Sequence, residues 1–552
     1  MGCFVLEPKA HGKADEVEHV PGTAVFNEDP VAAAAAAFDG VDLSTLKRAR
    51  GREDLILIPQ PSDDPNDPLL WPTWKKQVFF WILIFGTCLV GAAGPLIAAD
   101  QRHIASLLGV SANTFAQILS SWFVFTLAIA TIVFQVATVK LGKRPIYLFS
   151  SILLCVSAVW ASYADSIGSF AAARMFQAIA MAPLEFLVGA SINDVFYVHE
   201  RGIYVAVWTA ALLLGINCTP ILAGQVLKKP ELGYVWVFRY FAIAVGVLIV
   251  LQFFFMPEST FVRAPVLPPK TTDSTLDHEK REAAHVENGA DSNLLKKSFL
   301  QELNPQNGVY KTKTNVFVLL ARPFLMLFTP TVFWGGICYG LGITWLVMLA
   351  VTISVVFGSP PYNFSSASVG LTYVGPCLGA LFGTVLAGPL TDWSAKILSR
   401  RNHGIYEPEF KLLPVALYLI FGVLGFVGYG WTLSDGAPWI GPVIFFGICN
   451  FAIVLGTTAA ISYIVDCHRH TTDAALGALI FWKNIWSFAL TWNFTEQLLH
   501  YGPRNCFAII AAVIAFTSLC TIPMYICGKK ARSWTHRHIR FSEEDEMSAV
   551  AH

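Results

Sequence analysis

Polar side chains interrupt two long apolar stretches of this 552-residue sequence. Arg174, Gln177 and Glu185 lie in the stretch near 168–192, and Lys483 and Asn484 lie in the stretch near 474–497. At about 3.6 residues per turn, Arg174 and Glu185 project from nearly the same helix face. A charge at membrane depth costs roughly 2.5 kcal/mol or more unless it faces a cavity or a partner. These five side chains are therefore the candidate residues of a central cavity.

The residue types suggest which chemistry each charge performs. A carboxylate in a partly dry cavity holds a proton more readily than one in water, which suits Glu185 to proton coupling. Lys483 is suited to attracting an anionic cargo or to acting as a fixed counter-ion. The alternative is that Arg174 and Glu185 only lock helices together, which the sequence leaves open.

Membrane-spanning helices are the elements that must position these side chains. The chain is 55% hydrophobic and 14% charged, with a mean hydropathy of +0.54, whereas soluble domains carry roughly 25% charged residues. Twelve stretches are near the roughly 20 apolar residues that a spanning helix needs, and they lie near 77–99, 115–138, 145–163, 168–192, 203–227, 236–256, 326–355, 367–390, 411–432, 438–464, 474–497 and 505–527. The sequence therefore predicts an all-α polytopic membrane protein whose partner is the lipid bilayer.

A polar segment between the sixth and seventh stretches divides the chain into two halves. It contains "TTDSTLDHEKREAAHVENGADSNLLKKS", which cannot bury enough apolar surface to fold alone. The predicted parts are a largely disordered cytoplasmic tail (1–75), a six-helix bundle (76–256), a cytoplasmic linker (257–325), a second six-helix bundle (326–528) and a cytoplasmic tail (529–552).

The distribution of cations predicts the orientation. Lys and Arg accumulate in the tails, the linker and the loops after the second and eighth stretches, and such segments face the cytoplasm. The loop between the seventh and eighth stretches then lies outside, where Asn363 in "YNFSS" begins a glycosylation sequon. We expect a multi-pass protein of the plasma membrane. The 38 basic and 38 acidic residues balance, so charge gives no indication of nucleic-acid binding.

The loops after the second and eighth stretches share a partial motif. The first has Lys140, Gly142, Lys143 and Arg144; the second has Gly388 and Asp392 in "AGPLTDW". These loops resemble the signature loop of the major facilitator superfamily, a glycine and an aspartate followed by basic residues around a second glycine. The resemblance implies two six-helix bundles and roles for these six residues in conformational switching. Since Val139 replaces the motif's aspartate, Arg144 is predicted to hold a cytoplasmic helix end or an acid elsewhere in the N-terminal half.

Other segments carry the resemblance further. "ARMFQAIA", with Arg174 and Gln177, resembles the fourth-helix signature of the family, and "GINCTPILAG", with Gly215, Pro220 and Gly224, resembles the fifth-helix signature of drug:proton antiporters. Segments such as "HERG" and "MPESTFVR" resemble a fungal subgroup of twelve-span carriers of drugs, metabolites and polyamines. The resemblance implies that the fifth-helix residues also take part in switching, and Pro220 should bend its helix.

The predicted function is secondary transport, not enzymatic catalysis. No nucleotide-binding glycine loop with its lysine is present, and we expect protons and a small-molecule cargo but no cofactor. No metal site is predicted, because "DCHRH" (466–470) stands in one short loop without further ligands. Three hypotheses remain: proton-coupled efflux of a drug-like molecule or secondary metabolite, proton-coupled uptake of an organic cation such as a polyamine, and a non-transporting receptor of the same fold.

Overall fold

The structure is a computed structural model. It describes residues 5–6, 23–25, 47–49, 52–56, 60–62, 64–229, 233–261, 298–303, 316–402, 405–468 and 472–538. Most of the predicted N-terminal tail and much of the predicted linker lie outside these residues, so the prediction that the tail is largely disordered falls mostly on residues that the structure does not describe.

Within the described residues, twelve helices are long and apolar enough to cross a membrane. In chain order, spans 1 to 12 are Thr73–Asp100, Asn113–Leu141, Lys143–Ser162, Ile167–Val195, Glu200–Leu227, Gly233–Phe255, Pro330–Phe357, Ser366–Arg401, Pro408–Ser434, Ile440–Cys467, Ala474–Thr491 and Phe494–Thr535. Each of the twelve overlaps its predicted stretch, which confirms the predicted fold class.

Shorter elements lie at the two ends of the bundle. Because the number of spans is even, span 1 begins and span 12 ends at the same end, which we call the inner end; the opposite end is the outer end. Short helices are Gln101–Leu107, Phe299–Leu303 and Val316–Leu327, and the last helix, Thr521–His538, extends into the predicted C-terminal tail. Strand Ala24–Val25 pairs antiparallel with Ile405–Tyr406, and Arg48–Ala49 pairs with Arg52–Ile56.

The first pairing carries the N-terminal segment across to the second half of the protein. Beside it, the hydroxyl of Thr23 donates to Glu407 Oε2 at 2.8 Å. The backbone N–H of Leu6 also donates to the carbonyl oxygen of Ile526 at 2.9 Å. The inner face of the C-terminal half is thus held partly by residues from the start of the chain.

Spans pack mainly within their own half. Span 3 packs on spans 4 and 6, and span 1 on span 5; in the second half, span 8 packs on span 10, span 9 on span 12 and span 7 on span 11. The two halves meet chiefly where span 2 packs on span 11 and span 5 on span 8.

Small residues on span 8 let its backbone approach span 10 closely. A Cβ on Gly379 would lie 2.0 Å from the carbonyl oxygen of Gly447, and one on Gly375 would lie 2.5 Å from that of Val443. Gly375 and Gly379 therefore belong to a packing seam against span 10.

The start of span 12 differs from the prediction. Its helix begins at Phe494 instead of near residue 505. The extra turns carry exposed polar residues such as Glu496, so a hydropathy window does not detect them. Gly502 has a φ of 76°, a left-handed conformation that glycine adopts without strain, and it divides these turns from the apolar part of the span.

Candidate functional site

An ion pair joins the two halves in the middle of the bundle. Lys483 Nζ on span 11 donates a hydrogen bond to Glu185 Oε1 on span 4. The side chains are only 7% and 10% exposed, respectively. The phenol of Tyr339 on span 7 lies within electrostatic range of Glu185. The sequence predicted both charges as cavity residues, and the structure brings them together.

Close packing of span 11 on span 7 fixes the position of Lys483. A Cβ on Gly340 would lie 3.1 Å from Lys483 Cα, and one on Gly336 would lie 2.8 Å from the side chain of Trp482. One turn further along, the hydroxyls of Thr344 and Ser487 lie 3.0 Å apart in a hydrogen bond. The cation is therefore held on a backbone that has little freedom to shift.

Arg174 has different partners. Its Nη1 donates to the carbonyl oxygen of Ala93 at 2.8 Å and to Gln177 Oε1 at 2.7 Å, and its Nη2 donates to the carbonyl oxygen of Gly94 at 3.1 Å. The guanidinium also lies 4.5 Å from the ring centre of Phe123. Arg174 is fully buried and satisfies carbonyl groups where the first helix of span 1 ends.

Arg174 and Glu185 are thus separated in the structure although they share span 4. Eleven residues correspond to about 16 Å along a helix, and each charge faces its own partners. Gln177 Nε2 and Asn484 Nδ2 are buried and have no hydrogen-bond partner among the residues that the structure describes. Buried amide donors usually have a partner, so these two groups are available to a polar atom of a bound molecule.

The loop between spans 2 and 3 contains the first copy of the motif. Gly142 has a φ of 86°, and a Cβ there would lie 2.9 Å from Glu258 Oε2. Glu258 accepts the backbone N–H groups of Lys143 at 3.2 Å and Arg144 at 3.0 Å. Lys143 Nζ pairs with Asp194 Oδ2 at 2.5 Å at the inner end of span 4. Sequence reasoning missed Glu258, although "MPESTFVR" placed a carboxylate directly after span 6.

Arg144 links this loop to the end of span 6 and to the linker. Its Nη2 donates to the carbonyl oxygen of Phe253 at 2.8 Å, and its Nη1 donates to the carbonyl oxygen of Glu302. The Glu302 side chain pairs with Lys75 at 2.7 Å. The predicted contact of Arg144 with an inner helix end in the N-terminal half is therefore confirmed. Lys140 is half-buried on the last turn of span 2.

The second copy of the motif has different surroundings. Asp392 is exposed and interacts electrostatically with Lys411 and Asp466, while the space beside Gly388 is open. Lys411 Nζ pairs with Asp466 Oδ2 at 2.6 Å, and Tyr406 also donates to this carboxylate. The acids and bases of this loop therefore interact at the inner end of the second half.

A buried charge cluster nearby was not predicted. Arg532 Nη2 pairs with Glu407 Oε2 at 2.7 Å and with Glu409 Oε2 at 2.8 Å, and all three side chains are at most 2% exposed. In the sequence, Arg532 is one of several cations in a basic tail, and nothing distinguishes it from its exposed neighbours. The His468 ring bonds with the hydroxyl of Thr331 at 2.8 Å.

The fifth-helix residues lie on two different surfaces. A Cβ on Gly215 would lie 2.3 Å from the carbonyl oxygen of Cys88 on span 1, so Gly215 packs within the N-terminal half. A Cβ on Gly224 would lie 2.7 Å from the carbonyl oxygen of Ser366 on span 8. Pro220 lies inside the span 5 helix, on the side that faces span 8.

Hydrogen bonds join the halves at the outer end. Ser366 donates to Asp100 Oδ1 at 2.9 Å, and the hydroxyls of Ser121 and Thr491 lie 3.0 Å apart. Ser121 belongs to a wide π-helical turn, Gln117–Trp122, of the kind that often occurs at functional sites. These bonds must break if the central pair is to become accessible from the outer end.

Asn363 lies in the loop between spans 7 and 8. It is exposed at the outer end and has a φ of 48°. A glycan at this position would therefore have room.

Comparison with known proteins places this architecture in a family. A model described as "Major Facilitator Superfamily" matches residues 78–491. The chain belongs to the major facilitator superfamily. It is therefore a secondary transporter of this superfamily, a class that carries small molecules and is not enzymatic, and a multi-pass membrane protein.

Relatives of this superfamily member span nearly its whole length. Protein HOL1 of Saccharomyces cerevisiae is 23% identical, covering 95% of this chain and 97% of that protein. The efflux pump radE of Floropilus chiversii is 25% identical, covering 96% of this chain and 93% of that protein. The proton:xylose symporter XylE has the same fold, with a TM-score of 0.58 and 13% identity over 82% of this chain and 96% of that chain.

Proposed function

We propose that this transporter exports a small organic compound in exchange for protons, and that Glu185 carries the proton. The observation that carries the proposal is the buried Glu185–Lys483 pair between spans 4 and 11. The strength of this contact changes when Glu185 takes up or loses a proton. Its two partners belong to the two halves that move relative to each other.

Protonation of Glu185 would change the balance between the two halves. A buried ion pair is tolerated because each charge compensates for the other's lost hydration. A proton on Glu185 removes one charge and leaves Lys483 buried without a counter-ion. Rehydration of Lys483 then favours a state in which the halves move apart at one end. Loss of the proton to the other side restores the pair, which couples proton movement to alternating access.

The surroundings of the pair suit a largely apolar cargo with a few polar groups. Tyr339 lies near Glu185, and the buried amide of Asn484, next to Lys483, offers a donor without a partner among the described residues. The amide of Gln177 offers another such donor about 12 Å away along span 4. Ligand sites commonly combine apolar walls with a small number of such polar groups. Arg174 is proposed to support the cavity wall, because its hydrogen bonds go to span 1 and to Gln177.

The direction and subgroup rest on relatedness. The name of the efflux pump radE describes export, which favours a drug:proton antiporter-like carrier in the plasma membrane. Uptake of an organic cation such as a polyamine is the second candidate, since Glu185 would attract one. That cargo would have to displace Lys483 from Glu185, which makes export of a less charged compound the better proposal.

The first experiment identifies the cargo. A deletion strain and its complemented parent are tested with a panel of toxic compounds and with radiolabelled polyamines. Higher accumulation of a compound in the deletion strain supports export, whereas lower uptake of a polyamine supports import. A strain that differs in neither respect supports the receptor hypothesis.

The second experiment tests the role of Glu185 in proteoliposomes with an imposed pH gradient. Glu185→Gln preserves size and removes the charge, so transport should lose its dependence on the gradient while cargo exchange without a gradient survives. Glu496→Gln is the matched control, because Glu496 is an exposed carboxyl at the outer end of span 12. Equal pH dependence in Glu185→Gln and the parent would exclude Glu185 as the coupling site.

A further inference from the structure

Two thiols meet between the halves. Cys218 Sγ on span 5 lies 3.5 Å from Cys377 Sγ on span 8. Both side chains are half-buried. They are 159 residues apart in sequence and belong to different halves, so their contact reports the position of one half relative to the other.

The backbones beside these thiols are in close contact. A Cβ on Gly370 would lie 2.4 Å from the carbonyl oxygen of Pro220, and one on Gly224 would lie 2.7 Å from that of Ser366. These contacts continue from the thiols toward the outer end, where Ser366 bonds to Asp100. A disulfide has an S–S distance of about 2.05 Å, so the sulfurs need to approach by only about 1.5 Å.

The thiols therefore lie within the contact that must open for cargo to reach the outer side. Hydrogen bonds in this contact break and reform during each transport cycle. A disulfide bond between span 5 and span 8 would not break in each cycle, because breaking it requires a reductant. Closing this bond would hold the outer end shut while leaving the inner end free to move.

We propose that Cys218 and Cys377 form an oxidative lock that closes the outer end of the transporter. The oxidant is an organic hydroperoxide, which is apolar enough to enter the bilayer. One thiol attacks the peroxide, so that the O–O bond breaks, a sulfenic acid forms and the alcohol leaves. The second thiol attacks the sulfenic sulfur, the S–O bond breaks and water leaves. The two sulfurs supply the two electrons that reduce the peroxide.

The lock is tested on the full-length protein in proteoliposomes treated with cumene hydroperoxide. Mass spectrometry of the digested, unreduced protein should show the Cys218 peptide joined to the Cys377 peptide. Transport of the identified cargo should fall at least tenfold and return after treatment with dithiothreitol. The cross-link is read from the protein itself, so this result does not depend on the proposed direction of transport or on proton coupling.

Single substitutions distinguish this lock from general oxidative damage. Cys218→Ser and Cys377→Ser should each keep transport in the presence of the hydroperoxide. Cys88→Ser is the matched control, because Cys88 lies near Cys218 on span 1 of the same half, and it should remain sensitive. The proposal is wrong if no Cys218–Cys377 peptide forms, if transport continues in the cross-linked protein, or if both variants lose transport as the parent does.

Discussion

Removing the cation of the central pair should destabilise the protein. In Lys483→Met, the apolar replacement leaves Glu185 buried without its partner. Two unit charges about 3 Å apart attract each other by about 5 kcal/mol at an effective dielectric constant of about 20. Desolvation opposes part of this attraction, and losing one partner of a buried pair typically costs about 3–5 kcal/mol. We expect a loss of about 3 kcal/mol near pH 8.

The double variant is the stricter part of this prediction. Glu185→Gln leaves the Lys483 ammonium as the lone buried charge, so this variant should lose stability as well. The double variant leaves no buried charge and should recover most of the lost stability.

The assay is thermal unfolding of the detergent-purified proteins at pH 8, followed by intrinsic fluorescence. Glu496→Gln serves again as the control for replacement of a carboxyl. If the losses of the two single variants simply add in the double variant, Glu185 and Lys483 do not form the pair described above.

Three further predictions follow from other parts of the molecule. Arg144→Ala frees the carbonyl group of Phe253 at the end of span 6 and should slow transport about tenfold without unfolding the protein. Unchanged transport at normal surface levels would contradict this. Burial and the nearby Arg532 guanidinium lower the pKa of His468 to about 4. The neutral form of His468 therefore stabilises the fold above pH 6.5, and up to about 3 kcal/mol of the free energy of unfolding is lost as pH falls from 6.5 to 4. Between pH 6.5 and 4, thermal unfolding should show a smaller loss of stability in His468→Gln than in the parent protein. Equal losses in the two proteins would refute the assignment of this pH dependence to His468. Glycosidase treatment should change the electrophoretic mobility of the parent protein but not that of Asn363→Gln. A parent protein whose mobility does not change would show that this loop carries no glycan.

The spans were predictable because membrane thickness imposes a length and an apolar composition on each helix. The contact of Arg144 with a helix end was also predictable, since a guanidinium without the usual aspartate in its loop needs another acceptor. Each span can be identified from about 30 consecutive residues of sequence. The contact of Arg144 follows from a simple rule about the unsatisfied carbonyl groups at helix ends.

The partners of the central charges were not predictable in the same way. Glu185 and Lys483 are 298 residues apart, so their contact depends on how the two halves dock. Arg174 and Glu185 share a helix face, yet the carbonyl groups of Ala93 and Gly94 are close enough to hold Arg174. That arrangement requires the first helix of span 1 to end at a particular depth, and hydropathy alone does not give this depth.

The pairing of strand Ala24–Val25 with Ile405–Tyr406 has a consequence for biosynthesis. Thr23 and Glu407 beside it are 384 residues apart, and ribosomes add roughly 5–20 residues per second. The N-terminal segment is therefore made on the order of 20 to 80 s before its partner emerges. It can occupy its place only after the first eight of the twelve spans have been made, so its docking would mark chains that have passed the midpoint of membrane insertion.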